Sequence, residues 1–171
     1  MPMGRSTMEA GVDRLDSSRR VVRSLLSSQQ FTVLSTGSES GPYASLVAFS
    51  GAEDLSHIVF ATMRATRKFN HLTERPQVAL LFDNRSNRDV DVSEAVAVTA
   101  TGYAREITDR ESNAAAVERY LIKHPHLQTF VASPGCALVK VEIDVYYVVT
   151  HFQSVVELHM PRPGQGLGPS R

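Results

Sequence analysis

Residues 58–82 read IVFATMRATRKFNHLTERPQVALLF and constrain the fold more than any other stretch. Two apolar runs, His57–Thr62 and Gln77–Phe82, flank a short amphipathic segment from Ala65 to Arg75, in which Phe69 and Leu72 share one helical face. Pro76 carries no N–H and stops that helix. The order is strand, short helix, strand, and the second strand is apolar enough to be central. The helix opens on Thr66-Arg67-Lys68. Cations have the wrong sign for a helix N-terminus, where the dipole and the free N–H groups favour negative charge. An anion seated there removes the conflict, because Arg67 and Lys68 then add full charges to N–H groups already aimed at it. The stretch therefore points to a phosphate-bearing ligand.

The rest of the chain supplies more strands. Phe31–Thr36 and Tyr43–Ser50 flank the turn cluster Gly37-Ser-Glu-Ser-Gly-Pro42 and predict a hairpin. Ala95–Ala104 predicts a strand rich in Val and Thr, and Cys136–Thr150 one long strand or two. The polar connection Asp83–Ser93, DNRSNRDVDVS, is longer than most and is a candidate functional loop. Thr108-Asp-Arg-Glu111 predicts a capping box opening a helix through Val117, Tyr120 and Leu121. Near the start, Leu15, Val22, Leu25 and Leu26 fit one face of a helix beginning at Asp13. The expected organisation is a flexible N-terminus over 1–12, one domain over 13–160, and a flexible Pro/Gly-rich tail over 161–171. About six strands with short inserted helices, joined early by hairpins, favour an antiparallel barrel over a doubly wound parallel sheet. Neither G-x-G-x-x-G nor a Walker loop occurs.

Composition excludes some functions. Eighteen Lys and Arg balance eighteen Asp and Glu, and Trp is absent, so neither a nucleic-acid partner nor an acidic membrane surface is expected. No stretch has the shape of a signal peptide or a bilayer span. The one cysteine, Cys136, has no intrachain partner, which fits a reducing, cytoplasmic location.

Strand-turn-strand, then F-A-T-x-x-x-T-R-K, then P-x-V-A-L-L-F resembles the pyridoxamine 5′-phosphate oxidase-like, FMN-binding split barrels, from about Phe31 to Phe152. The resemblance implies a mostly β fold, a six-stranded antiparallel split β-barrel with inserted helices, homodimeric, with FMN at the subunit interface. It implies that Thr66, Arg67 and Lys68 hold the FMN phosphate. Ser45, Leu46 and Val47 would lie along the isoalloxazine ring, and Ala61 and Thr62 next to the ribityl chain. Asn84 would reach the flavin or close the site. The vitamin oxidase proper begins the second strand with Arg and ends it with Lys. Here Ala44-Ser-Leu-Val-Ala-Phe49 has neither, and the Trp- and Arg-based substrate-phosphate motif is also absent. The resemblance thus supports FMN and argues against pyridoxamine phosphate as substrate.

The implied activity is an oxidoreductase passing electrons or hydride between a nicotinamide cofactor and a small acceptor. The alternatives are a non-enzymatic FMN store or sensor, a heme-binding or heme-degrading split barrel, and a deazaflavin protein. No side chain stands out as a catalytic acid, base or nucleophile, which suits chemistry carried by the ring. No metal site is expected: His124-Pro125-His126 reads as a helix end, and Cys136 as a packed thiol. His151 and His159 are the residues a heme reading would invoke.

Overall fold

The computed structural model describes residues 7–150 and 154–161. Seven strands form one antiparallel sheet: β1 (Phe31–Ser38), β2 (Gly41–Gly51), β3 (His57–Met63), β4 (Gln77–Asp83), β5 (Ala97–Glu106), β6 (Cys136–Thr150) and β7 (Ser154–His159). Their order is β3-β2-β1-β4-β5-β6-β7, and β3 pairs with β6 as well. The first six strands thus close into the expected antiparallel barrel. β7 lies outside the ring, on the second half of β6, from Val145↔His159 to Thr150↔Ser154. The sequence did not predict β7, because SVVELH is short, half polar and next to the Pro/Gly-rich tail.

The helices are α1 (Thr7–Ser28), α2 (Arg67–Glu74), α3 (Asp91–Glu94), α4 (Arg110–Lys123) and α5 (Gln128–Val131), with a 3-10 turn at Pro125–Leu127. The first helix begins at Thr7, ahead of the expected Asp13, and runs through Gly11. Its apolar stripe docks through Val22, Leu25 and Leu26, all buried, whereas Leu15 is 43% exposed. The start of α4 also differs from the expected capping box. The cap is Asp109, not Thr108, and its carboxylate accepts the Ser112 N–H at 2.8 Å. A carboxylate one residue further on complements the helix dipole better than a neutral hydroxyl. The tail from 162 onward lies outside the described residues.

Alternation along the strands separates two apolar layers. Inward-facing Leu34, Phe49, Phe60, Leu80, Phe82 and Val139 are wholly buried in the barrel, each side chain worth about 1.5–3 kcal/mol of transfer free energy. Phe49 and Phe82 meet edge to face with ring centroids 4.8 Å apart. Outward-facing Val59, Ala61 and Leu138 form a second cluster with Cys136, covered by Tyr120 of α4. At Gly102 the β5–β6 register shifts by a bulge, and a Cβ there would stand 2.0 Å from the Glu142 carbonyl oxygen. Only glycine lets the two backbones approach this closely.

Closure of the ring is uneven. β3 pairs with β6 along its whole length, from His57↔Glu142 to Met63↔Cys136. It pairs with β2 only from Phe49↔Phe60 to Gly51↔Ile58. The facing edges of β2 before Phe49 and of β3 after Phe60 therefore diverge, and this is the split. Among the described residues, no helix is long and apolar enough to cross a membrane.

Candidate functional site

The split has two lips and a wedge. On the β2 lip, Ser45, Leu46 and Val47 pair with Leu34, Val33 and Thr32 of β1 and have no strand on their other side. Val47 turns into the barrel and Leu46 turns out, 65% exposed. Ser45 Oγ is buried and has no hydrogen-bond partner; among the described residues no other side-chain oxygen or nitrogen is so placed. An unsatisfied buried hydroxyl costs about 1–3 kcal/mol. On the β3 lip, Ala61 and Thr62 are buried, with Leu138 and Ala137 of β6 beside them.

The wedge is Tyr120. Continuing the β2–β3 register past Phe49↔Phe60 would bring Ala48 opposite Ala61. There the Tyr120 hydroxyl donates to the Ala48 carbonyl at 3.2 Å and interacts with the Ala61 backbone as well. Burial pushes the phenol pKa up to about 12, so it stays protonated and keeps its donor. One turn on, His124 Nε2 lies 2.8 Å from the Phe49 carbonyl oxygen. Lys123, between them, donates to the Leu26 carbonyl at 2.7 Å and sits 3.9 Å over the Phe49 ring. The C-terminal turn of α4 thus satisfies the Ala48 carbonyl, which a longer β2–β3 ladder would reach, and the Phe49 carbonyl on the β1 side of the strand.

Past the wedge, β3 runs into α2. Thr66 is the N-cap: its Oγ1 accepts the Phe69 N–H at 3.4 Å and donates to the Met63 carbonyl at 2.8 Å. Thr62 Oγ1 lies 3.1 Å away. With its proton engaged by Met63, Thr66 shapes the helix start. The N–H groups of Arg67 and Lys68 have no acceptor among the described residues, as expected for a first helical turn. Neither side chain has a carboxylate partner there. Arg67 instead lies 5.4 Å from the Tyr43 ring centroid, which joins the start of α2 to the β2 lip. Tyr43 also meets His71 edge to face at 5.8 Å, and His71 Nδ1 is 3.2 Å from Thr36 Oγ1.

Tyr43, His71 and Tyr120 were not among the expected site residues. His71 follows Arg67 by four residues, so helical spacing alone puts both on one face. Nothing local in the sequence marks Tyr120, since it acts on a strand 72 positions away.

Asn84 sits apart from this cluster. Its Oδ1 accepts the Val96 N–H at 2.8 Å, and its own N–H reaches the Val96 carbonyl, so it ties together the two ends of the loop. The loop folds on itself around Asp91, whose carboxylate accepts the Ser86 and Arg88 N–H groups. His159 is exposed on β7, with Nε2 3.1 Å from Glu157. His151 lies outside the described residues.

The chemistry of the split can be stated from these parts. It offers two free N–H groups, two uncompensated cations, an orphan hydroxyl and an extended backbone edge. That donor set fits a phosphate-bearing group with a flat polar body, which is what FMN presents. None of the nine expected residues lines the groove of ≈890 Å³ on the α4 side of the barrel.

The pyridoxamine 5′-phosphate oxidase family model matches residues 19–150, and the chain belongs to this family. No curated protein matches the sequence significantly. Among solved structures, a heme binding protein from Mycobacterium smegmatis is similar at 17% identity and TM-score 0.73, over 83% of this chain and 57% of that one. The General Stress Protein 26 from Bacillus anthracis is similar at 18% and 0.59, over 83% and 98%. An FAD-binding protein from Mesorhizobium loti is similar at 13% and 0.60, over 74% and 88%. At these identities the likeness establishes the split-barrel fold.

Proposed function

We propose that this protein binds FMN along the split and works as an oxidoreductase, passing electrons or hydride between a nicotinamide cofactor and a small acceptor. One observation carries the reading: the orphan Ser45 hydroxyl lies on the unpaired β2 lip, and the uncompensated Arg67–Lys68 pair opens the helix that follows the β3 lip and touches the β2 lip through Tyr43. Arg67 and Lys68, with their N–H groups, hold the phosphate. Ser45 to Val47 offer backbone and hydroxyl groups to the ring edge, and Ala61 and Thr62 flank the ribityl chain. Bound FMN supplies hydride and one-electron chemistry, while the chain binds and orients it. Family membership and a flavin-binding structural neighbour support a flavin.

The same reading includes a homodimer. Leu46, Val33, Leu81, Thr99 and Tyr147 follow one another across five strands on the outer face. Leu46 at one end of this row is largely exposed, and Phe31 and Val155 are exposed apolar residues on the same face. A second copy laid on this face covers an apolar surface and turns the open lip into a cleft.

The test is the visible spectrum of the purified protein before and after reduced nicotinamide cofactor is added without oxygen. A flavin band that bleaches supports the reductase. A flavin that stays oxidised moves the assignment to storage, sensing or another donor. A heme band moves it to heme chemistry. A colourless protein that takes up no added FMN ends the proposal. Arg67→Ala with Lys68→Ala is expected to weaken FMN by on the order of 100-fold and riboflavin little, because only FMN carries the phosphate. Equal losses remove the phosphate role.

A further inference from the structure

A groove of ≈890 Å³ runs between α4 and the outer face of β3, β6 and β5. Its floor is set by strand register. Val59 lies opposite Lys140, and Lys140 opposite Arg105, so two cations stand side by side on neighbouring strands. Like charges placed directly opposite each other in a sheet are unfavourable. Arg119 comes in from the α4 wall, and His57 lies on the floor one pair along.

Carboxylates border the groove as well, but none of them pairs with Arg105 or Arg119. Glu106 is bound by Arg64, Asp109 caps α4, and Asp54 accepts the Ser56 N–H and hydroxyl. Glu142 reaches Lys140 at 3.4 Å. Glu53 also lines the groove, and its carboxylate makes no ion pair among the described residues. Arg105 and Arg119 have no carboxylate partner among the described residues. Part of the groove is apolar: Val59, Ile107 and Ala116 line it, and Ile122 stands 78% exposed beside them. The His57 imidazole feels the same field. Its pKa is lowered first by burial and then by Lys140 and Arg119, while Asp54 and Glu142 oppose the shift.

We propose that this groove is a second ligand site, separate from the split, for a small organic phosphate: the dianionic head between Arg105, Lys140 and Arg119, the apolar body on Val59, Ile107, Ala116 and Ile122. Three cations match a dianion better than a single carboxylate. The site shares no side chain with the FMN reading and stands or falls without it.

The probe is phenyl phosphate, with inorganic phosphate and benzoate as controls, added to the full chain and followed by calorimetry and by the NMR titration of the His57 ring. Phenyl phosphate is expected to bind more tightly than either control and to raise the His57 pKa, because a bound dianion favours the imidazolium. Arg105→Gln with Lys140→Gln is expected to weaken it by at least about tenfold. Arg119→Gln, on the exposed face of a helix, gives the same direction should the double variant not fold. Three outcomes overturn the site: no binding at about 10 mM, benzoate binding as tightly, or loss of binding on Arg67→Ala with Lys68→Ala and not on the groove variants. The last would place the phosphate at the split.

Discussion

The two edges of β3 behave in opposite ways. Against β6 it is paired from end to end, and the pairs are backed by buried side chains on both faces. Against β2 it pairs over three residues and then parts from it, with Tyr120 inserted at the fork. The closed edge uses up its backbone groups in the β3–β6 ladder. The open edge retains an orphan hydroxyl, two helix N–H groups and two cations, the inventory a polar ligand needs. In this fold, the place where the ladder is interrupted is where to look for a ligand.

The largest loss is expected on the closed side. Gly102→Ala puts a Cβ onto the Glu142 carbonyl at the β5–β6 bulge. A loss on the order of 4 kcal/mol is expected, read as the unfolding midpoint in urea, with no selective change in flavin affinity beyond the lost fold. A variant of normal stability would show that the ladder there is softer than its geometry implies.

His124 tests the junction of the two edges. Burial lowers its pKa below the usual histidine value of 6.5, a shift the Phe49 carbonyl partly offsets and the Lys123 and His126 charges reinforce. The unfolded chain takes up its proton near pH 6.5 and the folded chain only at lower pH, so stability is fully present above 6.5 and falls as pH drops through it. His57, also lowered, adds the same sign. The midpoint of thermal unfolding is expected to fall between pH 7.5 and 5.5, and to fall less in His124→Gln. Equal slopes in both proteins would remove His124 from the account.

Tyr120→Phe deletes the wedge hydroxyl and keeps its ring. A loss of about 1 kcal/mol is expected, together with weaker FMN binding as the β2 lip loses its anchor. A drop in stability with FMN affinity untouched would make Tyr120 a packing residue only.

Ser45→Ala carries the smallest stability effect and the sharpest sign. Removing a buried hydroxyl that has no partner leaves the ligand-free protein as stable or up to about 1 kcal/mol more stable, while FMN binding weakens. Opposite directions in the two measurements mark a ligand-directed group. A loss in both would mean that the hydroxyl has a structural partner.

Much of the fold was legible because its signals are local. The strand–helix–Pro–strand order of residues 58–82, the hairpin at 37–42 and the cations misplaced at the start of α2 can each be read within a dozen residues. Thr66, expected at the phosphate, caps α2 and gives its proton to Met63, which only the folded chain shows. Asn84, expected to reach the flavin or close the site, has its amide oxygen on the Val96 N–H, a pairing twelve residues apart that the sequence does not mark. β7 was missed because an edge strand needs only half an apolar pattern, and SVVELH carries no more than that.

Periodicity, breakers and charge at a helix end act over a few residues, so the family, the strands of the barrel and a helix start bearing two cations were readable in the sequence alone. Where the barrel opens, and what holds it open, follow from contacts between distant segments. The Tyr120–Ala48 contact, the Arg67–Tyr43 stack and the Arg105–Lys140 row join residues far apart in the chain, and their meaning exists only once the strands are in register.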